Sequence, residues 1–384
     1  APPLAGIRVV EMGQNIAGPY AGAILASLGA EVVKVERPDG GDDARGGGPA
    51  FVAGLSTAFH SLNFNKASVT LDLKDAQSIV RLKRLIADAD VFIHSMRSKA
   101  ITKLGFGYAE VAAVNPAIVY TNCYGYGRRG PERDRPAYDD TIQAECGLPA
   151  VQKELTGEAN YVASIVADKV AGLTAVYATM MALFHRERTG EGQEVEVAMF
   201  ETMASFMLVE HANGAMFDPP VGPALYHRTI APNRRPYRTK DGYISALIYN
   251  DKHWAGFIDA VRPDWNSERF ATLEARAAEI DTIYSLVATT MTERTTDEWL
   301  KLFVELEIPA APLNTPEDLF DNEHLNAVGF FETVQTPHGT ARIPGVPTWF
   351  SRTPGRVAGP APLLGADTAE VLAELNLAAE ADSR

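Results

Sequence analysis

Between Ile7 and Glu36 the chain reads "IRVVEMGQNIAGPYAGAILASLGAEVVKVE": an apolar run, a loop holding Gly13 and Gly18, an alanine-rich stretch entered at Pro19 and closed at Gly29, and a second apolar run. Proline suits a first helical turn, where its missing N–H is not needed, and glycine suits a helix end because it adopts the left-handed conformation freely. The segment therefore predicts a strand over 7–11, a helix from 19 to the stop at 29, and a strand over 31–36. Two strands joined through a helix run parallel, and parallel strands are buried on both faces, so each reads as a continuous apolar run. The order recurs in "SVTLDL", a helix around 76–88, "DVFIHS", a helix around 109–114 and "AIVYTNCYG". This repetition specifies an α/β fold with a Rossmann-like, doubly wound sheet.

The loop "RRGPERDRP" over 128–136 is charged and broken by proline, and is expected at the surface. A helix follows Asp168, then a turn and strand in "TGEGQEVEVAM", and a further helix in "ETMASFMLVEHANGAMF". The composition then changes. Residues 218–236, "DPPVGPALYHRTIAPNRRP", are rich in proline and read as a linker into a hairpin and helix of different character. A chain of 384 residues exceeds the usual single core, so a large domain plus a smaller α+β one is expected. The boundaries read as 1–217 for the large domain, 218–236 for the linker, 237–325 for the small domain, whose compact part ends near Pro312, and 326–384 for a return segment ending in a helix that completes the large domain.

The formal charge of -14 argues against a general nucleic-acid binder, since phosphate contacts need an excess of Lys and Arg; any anionic ligand must be held locally. Cys123 and Cys146 are too few for a disulfide framework or a cysteine-based zinc site, which suits a reducing cytoplasm. No apolar run of membrane-spanning length is free of glycine or polar interruption, so no membrane partner is expected.

The first loop offers the N–H groups of a βα turn, a common phosphate site. Its "GQNIAG" lacks the G-x-G-x-x-G spacing, and although Glu36 is acidic as in NAD readers, Arg37 follows at once; a phosphate site and a plain loop both stay open. Lys66, Lys74, Arg97, Lys99 and Lys103 each follow a predicted strand or open a helix, where an open α/β sheet binds ligands. Singly each reads as a solvated cation; together they allow a shared anionic ligand. The eight histidines show no i, i+4 pairing and no nearby cysteine, so no metal is expected. No serine stands in a G-x-S-x-G elbow. Among carboxylates, Asp168 precedes a long apolar helix, either as its N-cap or as a partly buried nucleophile, with the small Ala171 and Gly172 leaving room for a substrate. Asp139 and Asp140 are candidate acid or base groups, or loop and cap residues.

Six segments, "LAGIRVVEMGQNIAGPYAGAILASLGAEVVKVERPDGGD", "NKASVTLDLK", "NPAIVYTNCYGYGRRGP", "ADKVAGLTAVYATMMALFHRERTGEGQEVEVAM", "IPAAPLNTPEDLFDNEHL" and "RIPGVPTWFSRTPG", resemble the family III CoA-transferases, the group of the formyl-CoA and carnitine CoA-transferases, in the family's order and over essentially the whole chain. The resemblance implies a ring-like protomer interlocked with a second copy in a homodimer. It implies coenzyme A and acyl-CoA as substrates rather than tightly bound cofactors, and a carboxylic acid as acceptor. It makes Asp168 the nucleophile, forming an aspartyl anhydride and then an aspartyl-CoA thioester. It places CoA against Ile16, Ala17, Arg37, Leu71 through Lys74, Arg97 and Lys103, the cations opposing its phosphates. Asp139 falls where some members carry a glutamate that assists catalysis. Ile16 stands where formyl-CoA transferases have glutamine, and the glycine-rich loop of those enzymes is not found, so formyl or oxalyl transfer is not expected.

The sister 2-methylacyl-CoA racemases use the equivalent of Asp168 as an acid or base opposite a histidine. Here Tyr138 stands at that place, and a phenol with pKa of about 10 is poorly matched to removing an α-proton near neutrality. A CoA-binding protein without turnover is weakened by the intact Asp168, and a nucleotide-dependent oxidoreductase by the missing glycine fingerprint. His227, Arg228, Arg234 and Arg235 in "YHRTIAPNRRPYR" are open to two readings, a solvated linker or a contact to an acid's second carboxylate.

Overall fold

The computed structural model describes all residues except 49–53, 338 and 383–384; His338, one of the eight histidines, lies outside the described residues. Contacts divide the chain into two compact units, the first made of Ala1–Cys146, Val162–Phe206 and His324–Arg384, the second of Gly147–Tyr161 and Met207–Glu323.

The first unit is built on six strands, β1 Arg8–Met12, β2 Glu31–Glu36, β3 Ala67–Thr70, β4 Val91–His94, β5 Val119–Tyr124 and β6 Gln193–Ala198. All neighbours pair in parallel, in the order β3-β2-β1-β4-β5-β6. The order of strand addition reverses between β1 and β4, the switch point at which open α/β sheets hold ligands beyond their carboxyl ends. The helices between strands are α1 Ala17–Ser27, α2 Thr57–Asn63, α3 Ala76–Ala87, α4 Ser98–Lys103, α5 Tyr108–Val114 and α6 Asp139–Glu145; α7 Leu148–Thr156 belongs to the second unit, and α8 Val166–Thr189 leads into β6. α1 begins at Ala17, two residues ahead of Pro19, which still lies within the first turn.

Side chains alternate between the two faces of a strand. Val9, Val91, Ile93 and Val119 meet Leu25 of α1 and Leu183 of α8, whereas Val10, Phe92 and Tyr120 meet Leu82 and Ile86 of α3, Val111 of α5 and Leu375 of a C-terminal helix, Thr368–Asp382. The chain's last segment closes the unit along β3: Thr70 N–H donates to Thr368 Oγ1, Ser68 N–H donates to Asp367 Oδ2, and Asp367 N–H donates to the Ser68 carbonyl. By length and composition α8 could cross a bilayer, yet Ala171, Ala175, Thr179 and Ala182 are buried along the face that meets α1, β5 and β6.

The second unit carries a small antiparallel sheet, β7 Tyr237–Arg238, β8 Tyr243–Ala246 and β9 Ala310–Pro312, with α9 Met199–His211 entering it from the first unit. Besides α7, its helices include α10 Asp251–Val261, α11 Leu273–Ala278, α12 Ile280–Met291 and α13 Thr296–Glu305. Its core is aromatic: Trp254, Phe257, Phe270, Trp299 and Phe303 are buried together, with Trp299 and Phe303 stacked 5.5 Å apart.

Candidate active site

A helix that feeds a parallel strand runs back across the sheet, so α8 starts at the carboxyl edge, the same edge that carries the loop after β1. Asp168 lies inside the first turn of α8, not at its N-cap, and makes no capping bond of its own. The cap comes instead from Asp139 at the start of α6, whose Oδ1 accepts the Asp168 N–H at 3.0 Å. Asp139 is 5% exposed. Its other oxygen accepts from Gln143 Nε2 at 2.6 Å, and Gln143 also bonds Ser164 O and the Val162 N–H, tying α6 to the segment entering α8. Gln143 stands one turn after Asp139, a spacing that could have marked the pair from sequence.

Among the described residues nothing donates to the Asp168 carboxylate; the adjacent Lys169 is spent on Ser164 Oγ at 2.6 Å. Burial, and then the nearby Asp139 charge, push the Asp168 carboxyl up to about 7 from its ordinary 3.8. A helix N-terminus favours an anion by about 0.3–1 kcal/mol, less than one pKa unit, so it does not reverse a rise of this size.

Ala171 and Gly172, read above as room for a substrate, are used for packing. A methyl group at Gly172 would lie 2.9 Å from Tyr20 Cδ1 and 3.0 Å from the Ala17 carbonyl oxygen, so the glycine sets how closely α8 approaches the start of α1. Ile16 and Ala17 are thereby held near the first turns of α8.

The loop ahead of α1 is anchored from below by charges buried on the α1 face of the sheet. Lys34 Nζ lies 3.1 Å from Glu11 and 2.9 Å from Asp42 and donates to the Gly13 carbonyl. Lys66 Nζ lies 2.6 Å from the other Glu11 oxygen and donates to Asn63 and to the Pro19 carbonyl. Asn15 N–H donates to Asp42 and Gln14 N–H to Ser95 Oγ, so the loop is gripped at both ends and in the middle. Glu11 and Lys34 are fully buried. Burial pulls Lys66 down to about 8 against the pull of Glu11, while for Lys34 the Glu11 and Asp42 charges outweigh burial and raise it. Lys66 is thus a structural ion-pair partner and not one of the surface cations it was grouped with above. A single charge inside each of the apolar runs "RVVEM" and "EVVKVE" is the trace this cluster leaves in the sequence. Glu36 is likewise occupied, by a two-pronged ion pair to Arg45 at 2.7 Å, by Ser68 Oγ and by Asp42 N–H; it has no free oxygen for a nucleotide ribose.

A cavity of about 250 Å³ opens at the carboxyl edge between the ends of β1, β2, β3 and β4. Met12, Val35, Leu71 and Leu104 make its floor, with Arg37 and Lys74 at its rim. Arg37 is exposed and pairs with Asp43 at 2.6 Å; Lys74 is exposed. Arg97 and Lys103 are exposed as well, and each is the chain neighbour of a lining residue, Met96 and Leu104. Lys99 pairs with Asp134. The structure therefore gathers Arg37, Leu71 and Lys74 in one cavity and sets Arg97 and Lys103 beside it, while Asp168 and Asp139 are outside its lining.

Other groups are excluded as reacting centres by their surroundings. His94 is fully buried between Met96 N–H and the Tyr120 hydroxyl, and burial lowers it to about 3. Burial pushes the Cys123 thiol up to about 12. Asp140 and Tyr138 are exposed. Arg128, in the turn beyond β5, is held between Glu194 and Glu196 of β6.

The model of CoA-transferase family III matches residues 4–368. The chain is 34% identical to the succinate–glutarate CoA-transferase of Agrobacterium fabrum, over 97% of this chain and 96% of that protein. It is 33% identical to the succinyl-CoA–L-malate CoA-transferase alpha subunit of Chloroflexus aurantiacus, over 97% and 89%. Among solved structures, a CAIB/BAIF family protein from Brucella suis superposes with a TM-score of 0.82 at 30% identity, covering 97% of this chain and 99% of that one.

Proposed function

From the premise that the chain belongs to CoA-transferase family III and is a CoA-transferase, we propose that it moves CoA from an acyl-CoA to a carboxylic acid through covalent intermediates on Asp168. The observation that carries this reading is the Asp168 carboxylate itself: half-buried, without a donor among the described residues, raised to about 7, and held on a rigid helix end. A carboxylate stripped of water and of hydrogen bonds keeps its electron pair available for attack, and exclusion of water protects the anhydride it forms.

An Asp168 oxygen attacks the thioester carbon, the C–S bond breaks, and CoA leaves as thiolate. The thiolate attacks the aspartyl carbonyl, releasing the first acid and leaving an aspartyl-CoA thioester. The acceptor carboxylate attacks that thioester, CoA leaves again, and its attack on the acceptor's acyl carbon forms the new thioester and restores Asp168. Asp139 does not react; it holds the Asp168 backbone and keeps the neighbouring carboxyl basic. The apolar floor beside Leu71 suits the adenine of CoA, and Arg37, Lys74, Arg97 and Lys103 suit its phosphates. Cys123 and Cys146 form no disulfide, which supports a reducing cytoplasm as the site of action. The working form is an interlocked homodimer, supported by the apolar stripe of Leu173, Tyr177, Met181 and Phe184 that α8 leaves exposed.

The names of relatives make succinyl-CoA the first donor to test. Assayed against a panel of carboxylic acids, the protein is expected to form a new thioester, and Arg37→Ala to raise KM for the acyl-CoA roughly tenfold with little change in kcat. An unchanged KM would remove Arg37 from the CoA site.

A further inference from the structure

The second unit holds a cavity of about 350 Å³ that lies wholly within it, lined by residues of the 226–228 segment, β8, α11 and α12. Its walls are mostly apolar, with Ile248, Leu273, Ile283 and Val287 among them. Two polar groups in this lining are unexplained. Arg228 is half-buried; it donates through Nε to the Tyr284 hydroxyl at 3.2 Å, also bonds the Tyr226 hydroxyl and lies 5.5 Å from the Tyr249 ring, and no carboxylate pairs with it among the described residues. The comparison is with Arg276 in the same cavity, which is satisfied by the Asp251 carboxylate and three backbone carbonyls. Tyr237 is 7% exposed, and its hydroxyl has no hydrogen-bond partner among the described residues.

A phenol hydroxyl in the cavity lining with no protein partner, and a half-buried guanidinium held only by phenols, both leave hydrogen-bonding capacity for a ligand. Both are met by one chemical group. A carboxylate has two oxygens, each able to accept from the guanidinium fork and from a phenol, and charge-assisted bonds of this kind are the strong ones. The rest of the cavity asks for an apolar body, and its volume lies within the ordinary range of small-molecule sites.

We propose that this cavity is a binding site for a carboxylic acid with an apolar body, its carboxylate held by Arg228 and by the Tyr237 and Tyr284 hydroxyls. Asp168 belongs to the first unit and is not in this lining, and the cavity differs in chemistry from a site for a short dicarboxylate, whose second charge would meet the apolar wall. It also gives Arg228 and His227, singled out in the sequence as a basic segment, a place in a ligand-sized cavity, whereas Arg234 and Arg235 are not in the lining.

The test is titration of the full-length protein with 3-phenylpropanoate, read by saturation-transfer NMR, with the uncharged 3-phenylpropanamide as control. Wild type and Asp168→Asn are expected to bind the acid saturably and equally. Arg228→Gln is expected to weaken it at least tenfold, Tyr237→Phe, which removes only a hydroxyl from a folded core, about threefold or more, and the amide is expected to bind wild type at least tenfold more weakly than the acid. The proposal is overturned by equal affinity in wild type and both cavity variants, by loss of binding in Asp168→Asn, or by no saturable binding of the acid in the millimolar range.

Discussion

At neutral pH Asp168 stands between its two forms, because burial and Asp139 bring its carboxyl to about 7. Only the carboxylate can attack a thioester, so the sign is set: kcat/KM for the acyl-CoA should climb about tenfold per pH unit below the midpoint and level off above it, with the midpoint near 7. Asp139→Asn keeps an oxygen for the Asp168 N–H and removes the like charge. It should move the rising limb to lower pH while the fold is retained; a limb that does not move would mean that Asp139 acts through structure alone. Asp168 was visible in the sequence as a charge at the head of an apolar helix. Asp139 was visible as a candidate acid or base, but its bond to the Asp168 backbone was not, because that bond spans 29 residues and helix α6 had no pattern strong enough to orient it.

At the scale of elements, the position of Asp168 depends on how α8 meets α1, and Gly172 sets that contact. Gly172→Ala would press a methyl group against Tyr20 and the Ala17 carbonyl, so the helices must part. Overpacking of this kind costs about 1–3 kcal/mol, and the variant should show a lower melting temperature together with a kcat loss larger than any change in KM. Wild-type stability and turnover in Gly172→Ala would show that the contact is slack. The strands and helices themselves were legible, since the apolar runs of β1, β2, β4 and β5 are what a doubly buried parallel sheet requires. The buried Glu11, Lys34 and Lys66 cluster was not: side-chain ion pairs join strands brought together only by the topology. The reading of Ala171 and Gly172 as open space failed for a related reason, because small residues mark close approach without saying of what.

For the whole molecule, the exposed stripe on α8 predicts association. Met181 is 66% exposed and Phe184 65%, one apolar face of a helix whose other face is core. The protein is expected to sediment as a dimer, and the Tyr177→Glu, Met181→Glu double variant to shift to monomer at micromolar concentration; a monomeric wild type would contradict the interlocked arrangement. The central claim is that the entire chain carries CoA covalently during turnover, at one residue. Intact-protein mass spectrometry after mixing with an acyl-CoA donor, followed by peptide mapping, measures this directly. The account predicts a CoA or acyl adduct on the peptide bearing Asp168 in the wild type and none in Asp168→Ala; an unmodified wild-type protein that still transfers CoA, or an adduct that persists in Asp168→Ala, would contradict it.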